Sequence, residues 1–79
     1  MNYNENKIDE VVLALLYLTS FKQDDITRAW KGHDWAALNR LHEKGYISNP
    51  KSKAKSVMLS NDGVEMSEKL FLKYFGTPS

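Results

Sequence analysis

Seventy-nine residues with a net charge of +1, 27% charged and 42% hydrophobic, fit one globular domain spanning residues 1–79. The absence of cysteine excludes disulfides, thiolate metal sites and thiol nucleophiles. The first ten residues, MNYNENKIDE, lack the basic-then-apolar pattern of a signal peptide, and the longest apolar run, Val11 to Leu18, falls short of the ~18 residues that suggest a membrane span. The expectation is therefore a cytoplasmic protein with no membrane contact.

Charge is unevenly spread. Residues 1–27 carry a net −3, residues 28–55 a net +5 and residues 56–79 a net −1. Arg28, Lys31, Arg40, Lys44, Lys51, Lys53 and Lys55 supply the positive middle, which is an interaction signal that the total conceals.

In chain order, residues 1–6 are polar and expected to fray. A first helix is predicted from about Lys7 to Thr19 or Ser20, with Asp9 and Glu10 favourably placed near its positive end. Its apolar residues run nearly all the way round, Leu13 and Tyr17 included. Such a helix needs cover on every side, either from the last helix or from a second copy of the chain in a homodimer. Asp24 or Asp25 is predicted to cap a short second helix bearing Ile26, Ala29 and Trp30, ended by Gly32. Asp34 is predicted to cap a third helix that stops at Glu43, Lys44 and Gly45. On it, Leu38, Leu41 and His42 share the inner face, while Ala36, Asn39, Arg40 and Glu43 point outward.

Tyr46–Ser48 and Val57–Leu59 read as paired strands with a turn or edge at Asn49-Pro50. Lys51, Lys53 and Lys55 alternate with small residues, so an extended segment would place all three on one face. Ser60 is predicted to cap the last helix, whose stripe is Met66 or Ser67, Leu70, Phe71, Tyr74 and Phe75, ended by Gly76 and Pro78.

The phrase LNRLHEKGYI resembles the recognition-helix ending of bacterial repressors, and VMLSNDG resembles the return strand and helix start that follow a wing. Together they resemble a winged helix-turn-helix domain over residues 8–75. The span from WKGHDW through PKSKAKSV is also similar to a small uncharacterised bacterial domain family of about this length. The winged-helix resemblance implies a mainly α fold with a small β-hairpin (α+β), in the order helix-helix-helix-strand-strand-helix. It also implies a small transcription-associated regulator that binds double-stranded DNA.

Under that reading Arg40 and Asn39 have the donors and acceptors that suit guanine and adenine edges. Arg28, Lys31, Lys51, Lys53 and Lys55 would hold phosphates. The lysines would equally protect an exposed edge strand from aggregation. The alternative is a protein-interaction module of the same fold, with Leu13, Tyr17, Trp30 and Trp35 as the contact. Trp30 and Trp35 would otherwise be packing residues. His33 and His42 have no metal-ligand spacing, and no nucleophile neighbours a base. The expectation is a binding protein with no enzymatic activity, metal or cofactor.

Overall fold

A computed structural model of the protein describes residues 1–78. These residues form a small α+β domain in the order α-β-β-α-β-α: α1 (Glu5–Leu18), β1 (Phe21–Gln23), β2 (Ile26–Trp30), α2 (Trp35–Glu43), β3 (Ser56–Met58) and α3 (Asn61–Phe75).

The helix ends follow local chemistry. Asn4 caps α1 by accepting from the Lys7 amide, Asp34 caps α2 by accepting from Ala37, and Ser60 caps α3 by accepting from Gly63. Gly45, at φ 82°, lets the chain leave α2 in the left-handed region that a side chain disfavours. The Ser60 hydroxyl also donates to the Gly45 carbonyl at 2.6 Å, so one side chain joins the end of α2 to the start of α3.

The segment expected as a second helix is a β-hairpin. Phe21 pairs with Arg28 and Gln23 with Ile26 across a two-residue turn in which Asp24 and Asp25 take φ 52° and 65°. Aspartate tolerates that conformation, and consecutive positive φ values match the twist of the two strands. The two acids are thus turn residues and cap no helix. Strand β2 continues into antiparallel pairing with β3, Ala29 opposite Val57 and Trp30 opposite Ser56, completing a sheet in the order β1-β2-β3. The expected strand pair around the lysines shrinks to a single bridge, Ile47 with Leu59.

Ala29 and Val57 sit fully buried on the inner sheet face, in one core with Leu13, Leu16, Leu38, Leu41, Ile47 and Leu70. The main cover for α1 comes from α3, the more extensively packed of its two helical neighbours. On α3, Ser67 and Leu70 are buried, Met66, Phe71 and Tyr74 half-buried, and Phe75 is exposed. No helix among the described residues is long and apolar enough to cross a membrane.

Candidate nucleic-acid interface

Alternation along the strands sends Phe21, Ile26, Arg28, Trp30, Ser56 and Met58 to the outer sheet face, opposite Ala29 and Val57. Ile26, Trp30 and Met58 remain exposed there, Trp30 at 56%. The Trp30 ring rests against Phe21 with centroids 5.2 Å apart and planes 36° apart. Phe21 thereby fixes one side of the indole and leaves a flat aromatic surface toward solvent.

Cations gather at the same end of the sheet. Arg28, directly across the strands from Phe21, donates from Nε to the Ser56 hydroxyl at 2.7 Å and from Nη2 to the Ser56 carbonyl at 3.2 Å. Lys31, next to Trp30, donates from its ammonium to the carbonyls of Pro50 and Ser52 at 2.8 and 2.6 Å. Its backbone amide donates to Lys55. Lys31 therefore clasps the loop that bears Lys51, Lys53 and Lys55, all exposed.

That loop is turns and bends. Asn49 begins it, accepting from the Lys51 amide through Oδ1 and from the Ser52 amide through its carbonyl. The expected extended segment with three lysines on one face is thus replaced by a compact basic loop beside Trp30. Among the described residues, none of Arg28, Lys31, Lys51, Lys53 and Lys55 forms an ion pair; Arg28 and Lys31 are half-buried and bonded to neutral oxygens, while the three loop lysines are exposed.

Arg40 belongs elsewhere. Its guanidinium donates three hydrogen bonds of 2.8–3.0 Å to the buried carboxylate of Asp9 and a fourth, at 3.0 Å, to Glu5. The Asp9 hydrogen bonds, opposed by lost hydration and aided by the acids' charge, raise the arginine pKa above its ordinary value. Lys44 adds a 3.5 Å contact to Asp9. Arg40 is therefore turned toward α1 and away from any partner, contrary to the outward orientation expected for a base reader. Asn39 is half-buried on the same helix. Asp9 lies on the inward arc of α1 that it shares with Val12, Leu13 and Leu16. A carboxylate there demands a partner, the one sequence signal that could have exposed the pair.

The alternative contact set also divides. Leu13 is 1% exposed and belongs to the core, and Tyr17 packs half-buried against Phe71 at 5.3 Å, whereas Trp30 and Trp35 are both more than half exposed. His42 was expected inward; it is exposed, and its Nδ1 donates to the Ile47 carbonyl at 3.0 Å. Among the described residues, no group of three or more histidines and acids is arranged to hold a metal ion.

The sequence profile of the family described as "Domain of unknown function (DUF6429)" matches residues 4–77, nearly the whole chain. The chain belongs to this family. It is 48% identical over 75 residues to "Uncharacterized protein y4hR" of Sinorhizobium fredii (strain NBRC 101917 / NGR234), covering 95% of this chain and 97% of that protein. No solved structure matches it. The match spans both the sheet and the lysine loop, so the basic corner lies within the family's domain.

Proposed function

We propose that this domain binds nucleic acid through the basic corner of its sheet, holding the backbone electrostatically and stacking a base on Trp30. The observation that carries this reading is a loop bearing Lys51, Lys53 and Lys55, clasped by Lys31 next to the exposed Trp30, with Arg28 on the sheet face where Phe21 backs the indole. Ammonium groups neutralise phosphates and release counterions, while an exposed aromatic face accepts an unstacked base of any sequence.

That combination suits a single strand better than a duplex. The helix expected to enter a major groove is nine residues long, and its arginine is engaged by Asp9 and Glu5 of α1. In winged-helix terms, a hairpin takes the place of the second helix and the clasped lysine loop that of the wing. The role is binding, in keeping with a small transcription-associated regulator, and it assigns no catalytic step.

A titration of tryptophan fluorescence with oligothymidylate at low salt tests this, using Trp35→Phe so that Trp30 alone reports. The expected outcome is quenching with a log–log salt slope of about −3.5, given ~−0.7 per phosphate contact on a single strand. Trp30→Ala, which removes the reporter and is therefore followed by the fluorescence anisotropy of dye-labelled oligothymidylate, should weaken binding about tenfold, the effect of ~1.4 kcal/mol of stacking. Replacing the three loop lysines with alanine should flatten the slope by about 2. Undisturbed fluorescence, or binding indifferent to these lysines, would overturn the proposal.

A second reading, a protein-interaction face, draws on the exposed Ile26 and Met58 beside Trp30. It requires partner binding that survives high salt and fails on Met58→Asp.

A further inference from the structure

We propose that α1 pairs with the α1 of a second copy of this chain, antiparallel, across a two-fold axis. This is independent of the nucleic-acid reading and concerns the face of α1 that α2 and α3 leave open. That face carries Ile8, Val11, Leu15 and Leu18. Ile8 is 38% and Leu18 61% exposed, and Val11 and Leu15 are half-buried. Between Lys7 and Thr19 the stripe includes no charged residue.

The spacing of the four is three, four, three, the a/d seam of a coiled coil, whereas a helix that meets only its own core shows a wider inward stripe. The spacing also reads the same in both directions. A two-fold axis midway between Val11 and Leu15 therefore brings Ile8 opposite Leu18 of the second copy and Val11 opposite its Leu15, twice over. A self-complementary patch of this kind is what an isologous contact requires.

A receptor for the protruding residue is already formed. Asn4, Lys7, Ile8 and Val11, at positions i, i+3, i+4 and i+7, line a hollow completed by Tyr3 and Val12. Four residues at these offsets make the hole that accepts a knob in coiled-coil packing. The same register sets Leu18 of the second copy over this hole.

Charge complementarity favours the antiparallel arrangement. The last turn of α1 has no basic residue to balance the negative end of its dipole. In the antiparallel pair, Lys7 of one copy lies beside Thr19 of the other and supplies that charge. A parallel pair would set Lys7 beside Lys7. The seam is two heptads long and smaller than the roughly 1,000 Å² expected of a permanent interface. The dimer should therefore be reversible and form at high micromolar concentration.

Sedimentation velocity on the full chain across a concentration series tests this first. Concentration-dependent dimer is expected, and Leu18→Glu should weaken it by more than tenfold with an unchanged circular dichroism spectrum. Register is tested by disulfide trapping, which has no background because the chain lacks cysteine. An equimolar mixture of Ile8→Cys and Leu18→Cys chains should crosslink as the mixed pair. Like pairs lie about 15 Å apart in this register, ten residues at ~1.5 Å each. A monomer at millimolar concentration, a dimer indifferent to Leu18→Glu, or crosslinks between like chains would overturn the proposal.

Discussion

Asp9 on α1 and Arg40 on α2 meet fork to carboxylate, with the acid buried and the arginine reaching it over three hydrogen bonds of 2.8–3.0 Å. The pair fastens the helix that opens the chain to the helix that leads into the basic loop. Its consequence is a division of labour among the arginines. Arg40 holds the fold, and Arg28 stands at the surface.

Removing the acid should show this most clearly. Asp9→Ala exchanges a paired carboxylate for a cavity and leaves Arg40 to find solvent. Breaking a buried pair costs several kcal/mol, and the partial exposure of Arg40 relieves part of that, so a loss of about 2–3 kcal/mol is expected in urea denaturation. Arg40→Gln should also destabilise, and the double variant Asp9→Ala/Arg40→Gln should lose less than the two singles combined. If Arg40→Gln left stability intact and abolished oligonucleotide binding, the arginine would be a reader after all.

The Asp24–Asp25 turn carries a different expectation. Both residues pay for a left-handed backbone, which glycine adopts freely. Asp25→Gly should stabilise the domain by about 0.5–1 kcal/mol, raising Tm by roughly 2–8 °C. Asp24→Pro should do the opposite by forcing φ to about −65°, and should open the Trp30 face with a red-shifted, weaker emission. A neutral result from both would mean that the turn does not set the hairpin.

The same turn explains what the sequence concealed. The caps of α2 and α3, Asp34 and Ser60, and the exit at Gly45 are local signals, and each stands within three residues of the group it serves. The hairpin is different. Asp24-Asp25 before Ile26, Ala29 and Trp30 fits a helix cap as well as a tight turn. What selects the strand is the distant pairing of Ala29 with Val57, which buries both. The basic character of the loop was legible in its lysines, but its compact shape depends on Lys31 grasping Pro50 and Ser52 from nineteen and twenty-one residues away. The inward turn of Arg40 is hidden for a similar reason, since its partner lies thirty-one residues earlier on another helix.

Gly63 is expected to be intolerant of any side chain. A Cβ there would intrude on the backbone carbonyl of Tyr46, which also accepts from the Ser60 amide at 3.0 Å. A backbone group cannot swing away like a rotamer, so the joint between α2 and α3 would have to open. Gly63→Ala should cost about 2–3 kcal/mol, at the upper end for overpacking. Gly32→Ala, where nothing lies within 4 Å, serves as the control and should leave the denaturation midpoint nearly unchanged. Equal effects from the two would contradict the close approach.

Alkaline pH should weaken the contact between α1 and α3 through Tyr74. Its hydroxyl donates to Glu10, and that hydrogen bond, together with lost hydration and the acid's charge, raises the phenol pKa above its ordinary value near 10. The sign follows from linkage. As pH rises past about 10 the unfolded chain loses this proton first, so the contribution of the pair is complete below that value and declines as pH climbs through the folded one. Tyr74→Phe removes both the bond and the titration. The stability difference between the natural chain and this variant should be flat from pH 7 to about 9.5 and shrink above it. Absorbance at ~295 nm should show a phenol ionisation above the ordinary tyrosine value near 10, and that step should vanish in Tyr74→Phe. A stability difference constant through pH 11 would show that the Glu10 contact does not hold the phenol neutral.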